Sequence, residues 1–338
     1  MGRLIDELLI TWDALSGNQM EQEGWRGIPV SMIGNCTLLG ARHFPGNREA
    51  LLACFPSIRL SAAEHLPDGR GFEVIRADPY GDGKTWIALS RRESGSPELF
   101  AEMVADVAGV MDITASAGEE RTLQAMLRRV RMWQQFMSKG ARPLGREAEL
   151  GLAGELAFLG ILLDAGLPAD EMLMAWVGPE DAPQDFVLGT GAIEVKATLS
   201  ADGMQVRIGN LEQLDDSRLS PLFLALIRFA GDDRGLTLPG LVTDIMTRLQ
   251  GDQHVITLFR ERILAAGYHD YHASQYTRRF FREEDHIYGV ATGFPRLITG
   301  QVEGIMKATY EIDLGCASAL TTDLNTALNQ LGVQQNDT

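Results

Sequence analysis

The segment Pro221–Ala230, PLFLALIRFA, constrains the fold more than any other part of the chain. It carries a single charge, Arg228, and shows no alternation of polar and apolar positions. A strand of that composition must be covered on both faces. Covering layers are available on either side in sequence. A helix is expected over EAELGLAGELAFLGILLDAG (147–166), ended by Gly166 and Pro168. Two more are expected over LPGLVTDIMTRLQ (238–250) and HVITLFRERILAAG (254–267). Between them lie short strand-like runs, MLMAWV (172–177), QDFVLG (184–189), AIEVKAT (192–198) and MQVRIG (204–209), and a brief helical piece, NLEQLDD (210–216). Strands return in HIYGVATGFPRLI (286–298) and GIMKATYEIDLGC (304–316). Together these elements describe an α/β layer domain.

The first ~90 residues read differently, as strands GIPVSMI, CTLLGARHF, ALLACF, FEVIRAD and TWIALS separated by Gly, Pro, Asn and Asp turns. Two helices follow. SPELFAEMVADVAGV opens on Ser96-Pro97 with Glu98 in its first turn. EERTLQAMLRRVRMWQQFM aligns Leu123, Met126, Leu127, Val130, Trp133 and Met137 on one face, with Arg121, Arg128 and Arg131 on the other. The cluster Gly140, Pro143, Gly145 marks the boundary. The expected domains are therefore 1–140, a β-rich region for partner or DNA docking, and 141–338, the α/β domain with a C-terminal strand extension.

The chemistry concentrates in QDFVLGTGAIEVKATLS (184–200). Side chains alternate along a strand, so Glu194 and Lys196 share one face. The glycines at 189 and 191 signal a hairpin. With Gly189-Thr190 as the loop, Asp185 opposes Glu194; with Thr190-Gly191, it opposes Lys196. Either register brings the two carboxylates within ~4.5–8 Å. Adjacent carboxylates repel unless they share a cation, and a hard divalent ion such as Mg²⁺ takes oxygen ligands. Glu155 is the only charge between Leu150 and Leu163, in a helix apolar nearly all round, and needs a partner. These groups suit metal-assisted phosphodiester hydrolysis: Asp185 and Glu194 holding the ion, Glu155 completing its shell, and Lys196 at the attacking water or a phosphate oxygen. Gln213 can hydrogen-bond near the same edge. The plainer alternative is a solvent-exposed Glu-x-Lys ion pair worth ~0–1 kcal/mol.

The order Glu155, Asp185, Glu194-Val195-Lys196 resembles the PD-(D/E)XK nuclease superfamily. RMWQQFM, LGLAGELAFLGILL, PQDFVLGTGAIEVKATLS, VRIGNLEQL and, later, GFPRLITGQVEGIMKATYEIDL resemble a bacterial family grouped with it. The resemblance runs from about Leu123 onward and is looser before that. It implies a restriction-endonuclease-like core, a mixed sheet flanked by helices, and a DNA nuclease using Mg²⁺ or Mn²⁺. Asp185, Glu194 and Lys196 take the superfamily's metal-binding and catalytic places, and Glu155 its helical acidic place. Gln184 stands where the motif has proline, with Pro183 one residue earlier; that position is structural and tolerant. The resemblance further implies a subunit of a restriction or phage-defence system, encoded beside ATPases and methyltransferases. Double-strand cleavage would then call for a homodimer or two sequential nicks. A non-cleaving scaffold on the same fold is the rival from another class, and an unrelated α/β protein with a coincidental Glu-x-Lys is the third reading.

Charge narrows the partners. The net charge of −16 excludes a general nucleic-acid coating protein but not a localised basic groove. Only four lysines occur, Lys84, Lys139, Lys196 and Lys307. Arg278, Arg279 and Arg282, interleaved with Tyr276, Phe280 and Phe281, are candidates for phosphate contact and base stacking; the alternative is an amphipathic segment balanced by Glu283, Glu284 and Asp285. His269, Asp270 and His272 imitate a metal cluster, but two histidines do not make a site. Arg91-Arg92 is a candidate phosphate anchor, and GDDRG (231–235) reads as a turn. No complete Gly-x-x-x-x-Gly-Lys-Ser/Thr loop occurs, so ATP dependence would come from a partner. Cys36, Cys54 and Cys316 are odd in number and far apart. With no long apolar run and no secretory cleavage site, they point to a reducing cytoplasm.

Overall fold

The computed structural model describes residues 2–16, 23–61, 64–138, 142–180, 182–199 and 204–333. The chain divides into two units, Met1–Ala141 and Arg142–Thr338. Residues 139–141, where the sequence sets the domain boundary and where Lys139 falls, lie outside the described residues.

In the first unit, helix α1 (Gly2–Leu15) precedes β1 (Gly24–Ile33), β2 (Cys36–Phe44), β3 (Arg48–Phe55), β4 (Asp68–Gly69), β5 (Phe72–Ala77) and β6 (Thr85–Arg91). Helices α2 (Pro97–Thr114) and α3 (Glu119–Ser138) follow. The sheet is antiparallel in the order β1-β2-β3-β6-β5-β4. Sequence pattern gives these strands well, because turn residues punctuate short alternating runs. It missed α1, whose Leu8 and Trp12 are buried and whose Trp12 indole donates to the Ala50 carbonyl at 2.9 Å. Ser96 caps α2, accepting from the Leu99 N–H at 3.2 Å.

Both arginines of the candidate phosphate anchor, and Arg131 of α3, are engaged within this unit. Arg91 donates to Glu49 at 2.8 Å, and Arg92 pairs with Asp68 at 2.8 Å. Arg131 lies 3.7 Å from Glu64. Buried Arg129, absent from the expected arginine face, grips Asp106 of α2 with Nε at 2.5 Å and Nη2 at 2.8 Å, and the Trp133 indole donates to the same carboxylate at 2.7 Å. Gly83-Lys84-Thr85 leads into strand β6 rather than a helix, and Lys84 pairs with Asp82 at 3.0 Å, so no phosphate loop forms there.

The second unit runs α4 (Arg146–Asp164), α5 (Ala169–Ala175), β7 (Phe186–Leu188), β8 (Gly191–Thr198), β9 (Gln205–Ile208) and β10 (Leu222–Ala230). It continues through α6 (Leu238–Arg248), α7 (Gln253–Ala265), β11 (Phe281–Gly289), β12 (Tyr310–Asp313), β13 (Thr321–Thr322) and α8 (Leu324–Leu331). Five strands form a mixed sheet, β13-β11-β10-β8-β7, in which β8 and β10 are parallel and the other neighbours antiparallel. The apolar run is its central strand. One face, with Ile193, Val195, Phe223, Ala225 and Ile227, packs under Leu152, Leu156 and Leu159 of α4 and Val242 and Phe259 of α6 and α7. The other, with Ala192, Leu222, Leu224 and Leu226, is covered by Val206, Ile208 and Ile312 of the β9–β12 ribbon. Coverage on both faces is what the composition of β10 demanded.

Several assignments differ from the sequence reading: the strands expected over 286–298 and 304–316 are confined to Phe281–Gly289 and Tyr310–Asp313, with turns in the glycine-containing remainder. MLMAWV is not a strand: residues 169–175 form α5, with Asp170 and Glu171 in its first turn. A short apolar run has no decisive period, and helix-start chemistry prevails here. NLEQLDD is not helical, because the Asn210 side chain accepts from the Glu212 and Gln213 N–H groups at 2.9 and 3.0 Å and holds a turn.

Candidate active site

The hairpin uses the register that pairs Leu188 with Gly191 and Phe186 with Ile193, so Gly189-Thr190 is the loop. Gly189 has φ +55°, which a turn with glycine in first position requires. One step beyond the last ladder pair, Asp185 sits beside Glu194. Its Oδ2 accepts the Val195 N–H at 2.8 Å, and its carbonyl accepts from Val177 and Gly178 at 2.8 and 3.0 Å. Beyond Ile193 the outer edge of β8 has no strand partner among the described residues. A cleft of about 700 Å³ opens along that edge, lined by Glu155, Asp185, Glu194, Val195, Lys196, Ala197 and, opposite, by Gln205, Arg207, Gln213, Thr309 and Glu311.

Glu155 enters from α4. Gly154 lets this helix approach β8 so closely that a Cβ there would lie 2.7 Å from the Cβ of Ala197. The Glu155 Oε2 accepts the Trp176 indole N–H at 2.7 Å. A Cβ on Gly178 would meet Asp185 Oδ1 at 2.7 Å and Glu155 Oε2 at 3.0 Å, so both carboxylates converge over that glycine. Glu194 is 1% exposed, with Leu224 beside it on β10, and Lys196 has Leu226 as its neighbour. Lys196 Nζ lies 2.6 Å from Glu194 Oε1. This ion-pair contact is short but poorly directed, and neither Glu194 oxygen accepts a directed hydrogen bond among the described residues.

Enclosure sets the protonation behaviour. Glu155 and Asp185 are half-buried at the cleft. Desolvation, then the Asp185 charge, raises Glu155 to about 8, against the opposing indole hydrogen bond. Desolvation also raises Asp185, opposed by Lys196 and the Val195 N–H. Glu194 is raised well above the usual carboxylate range, by burial first and Asp185 second. Burial alone would lower Lys196, but Glu194, Asp185 and Glu155 together outweigh it and hold the ammonium above its ordinary value. The carboxylates thus want positive charge and Lys196 stays a cation.

Among the described residues, no three His, Cys, Asp or Glu side chains are spaced to hold a metal as a complete protein ligand set. The two-carboxylate arrangement of Asp185 and Glu194 nevertheless fits Mg²⁺, which keeps several waters and uses one or two carboxylates. The undirected, buried oxygens of Glu194 are the groups such an ion would satisfy.

The remaining candidates divide. Gln213 lines the cleft, whereas Arg278, Arg279 and Arg282 do not. Arg278 donates to buried Glu149 at 2.8 Å, and Arg279 donates to the Gly235 carbonyl at 2.9 Å. Arg282 stays exposed, 3.8 Å from Asp285. Tyr276 and Phe280 are core residues. The His269 ring accepts the Tyr271 N–H at 3.2 Å and His272 is buried, a hydrogen-bonded turn with no metal set. GDDRG is a turn closed from Gly235 N–H to the Asp232 carbonyl at 2.9 Å. Arg207, which the sequence reading passed over, lines the cleft and lies 3.1 Å from Glu147. Its signal was its place in the strand after Glu-x-Lys.

No helix among the described residues is long and apolar enough to cross a membrane. Neither the curated proteins nor the solved structures contain a match to the chain. A family model described as "Putative PD-(D/E)XK family member, (DUF4420)" does match, over residues 9–315; the mixed α/β core agrees with such a fold, and the chain belongs to this family.

Proposed function

We propose that the protein hydrolyses DNA phosphodiester bonds with Mg²⁺ or Mn²⁺ held by Asp185 and Glu194. Membership of a family grouped with nucleases supports this. The observation that carries it is Glu194, a buried carboxylate without a directed donor, beside a second carboxylate in a cleft open to solvent. Glu155, Asp185 and Glu194 set three carboxyl groups against the single Lys196 ammonium, and one divalent cation relieves both the remaining desolvation cost and the mutual repulsion. When bound, the ion would polarise a phosphate oxygen and acidify a coordinated water.

The protein's own groups supply the rest. Lys196, kept as an ammonium by three carboxylates, has donors left to orient the attacking water or meet the charge growing on a non-bridging oxygen. Glu155, anchored by Trp176, would complete the ion's shell, directly or through water. In the overall step a water oxygen bonds to phosphorus as one P–O ester bond breaks; water loses a proton and the leaving oxygen gains one. We further read the chain as a cytoplasmic subunit of a bacterial restriction or phage-defence assembly with ATPase and methyltransferase partners. The similarity of its sequence blocks to that family supports this, as does the lack of a complete phosphate loop of its own. A homodimer would let one site per chain cut both strands. Residues 1–140 are then a docking region for DNA or for those partners.

The test is cleavage of plasmid and linear DNA with Mg²⁺ or Mn²⁺, with and without the neighbouring gene products. Cutting is expected, and Glu194→Ala and Lys196→Ala are expected to lower it by about 100-fold or more. The non-cleaving scaffold draws on one observation: Glu147, Glu155, Asp185, Glu194 and Glu311 outnumber Lys196 and Arg207 in the cleft. DNA binding without any cutting would favour it.

A further inference from the structure

Gln184 occupies the position where the PD-(D/E)XK motif has proline, and here it is buried. Its Nε2 donates to the Glu212 carbonyl at 2.8 Å and reaches the Gln213 carbonyl at 3.4 Å. Proline has no such donor. The loop that follows β9 is therefore tied to the residue next to Asp185, and the Asn210 turn holds it from the other side.

At the end of this tether, Gln213 accepts the Gly209 N–H on Oε1 at 2.7 Å. A backbone N–H can only donate, so the atom facing it must be the amide oxygen, and the orientation of the amide is fixed by chemistry. Both Nε2 hydrogens are left over. Among the described residues no acceptor takes them, and Gln213 lines the cleft with Asp185, Glu194 and Lys196. A phosphate accepts hydrogen bonds and offers none in return, which matches an amide turned to present only donors.

We infer that Gln213 binds a phosphate oxygen of the DNA strand in the cleft through Nε2, and that Gln184 is the positioning residue that holds it there. This deepens the nuclease reading and rests on it. Gln184 itself touches no substrate; it acts by fixing the 209–213 loop relative to Asp185.

Cleavage in Mg²⁺ and duplex binding in Ca²⁺ are measured for wild type, Gln213→Ala, Gln184→Leu and the double variant, well below each melting temperature. Gln213→Ala, which adds no charge, is expected to lower cleavage about tenfold or more. Gln184→Leu is expected to lower it in the same direction, and the double variant to fall no further than about twofold below Gln213→Ala, because the two residues act through one contact. A purely structural Gln184 would lower the melting temperature while leaving the rate at wild-type level. That result overturns the inference, as does multiplication of the two effects or a Gln213→Ala rate within about twofold of wild type. If wild type does not cut at all, the nuclease reading fails by itself. The phosphate contact is then decided by binding: about a fivefold loss of affinity in Gln213→Ala supports it, and unchanged affinity overturns it.

Discussion

Replacing Glu155 by glutamine tests the electrostatics of the cleft through stability, independently of any activity. In the folded protein the carboxyl keeps its proton up to about 8, whereas a glutamate in the unfolded chain releases it at its ordinary 4.5. Between those values the folded state binds a proton that the unfolded state has released. The stability contributed by this group is thus fully present below pH 4.5 and is lost progressively as pH rises towards 8. At 1.36 kcal/mol per pH unit the ceiling is about 5 kcal/mol. Water entering the cleft screens part of that, and about 2 kcal/mol is the working expectation.

Glutamine keeps an oxygen for the Trp176 indole, 2.7 Å away in the wild type, and cannot ionise. In metal-free buffer, melting curves from pH 5 to pH 9 should therefore diverge. The two proteins should melt alike at the acid end, and Glu155→Gln should melt about 4–8 °C higher at the alkaline end, at 2–4 °C per kcal/mol for a unit of this size. Millimolar Mg²⁺ should narrow the gap, since a cation in the cleft stabilises the ionised carboxylate. Parallel pH profiles for the two proteins would refute the reasoning, because they would mean that Glu155 ionises in the fold as it does in water.

Two further substitutions probe the packing that builds each unit. Gly178→Ala would put a Cβ 2.7 Å from Asp185 Oδ1 and 3.0 Å from Glu155 Oε2. It should cost about 1–3 kcal/mol and remove most of the Mg²⁺-induced rise in melting temperature; a wild-type rise would show that these carboxylates take no part in metal binding. Asp106→Ala leaves the Arg129 guanidinium buried without its partner and deprives the Trp133 indole of its acceptor. Urea unfolding should register a loss of about 3–5 kcal/mol, and a cost below about 1 kcal/mol would mean that the helix pair α2–α3 does not depend on this ion pair.

Much of the fold was legible because its signals are local. Glycine and asparagine turns delimit the strands of the first unit, and the two-faced apolarity of β10 announces a central strand. Charge in the wrong place was equally readable: Glu155 in an apolar helix and Glu194 with Lys196 on a strand. The hairpin register was not, since Gly189 and Gly191 both satisfy a turn and only the three-dimensional ladder selects one. Nor was the fate of the arginines. Arg278 and Arg279 sit among aromatic residues as phosphate-binding arginines do, yet Glu149 and the Gly235 carbonyl, distant in sequence, engage them. Gln184 was read as a tolerant departure from proline, and its tether to residues 212–213 appears only when the loop folds back.

What gathers the four ionisable groups is a pair of local geometric facts, neither of which is itself a charge. Strand β7 pairs with β8 only as far as Phe186 opposite Ile193, so among the described residues the Val195 N–H has no strand to meet and the Asp185 carboxylate takes its place. Gly154 removes the one Cβ that would hold α4 away from Ala197, and the next residue of that helix is Glu155. A longer β7 would seal the edge, and a bulkier residue at 154 would lift Glu155 from the cleft. The Glu-x-Lys pair would then be an ordinary ion pair on a covered sheet. The motif residues have their chemistry because the backbone stops short beside them, and the spacing of Glu155, Asp185, Glu194 and Lys196 in sequence is the trace of that arrangement.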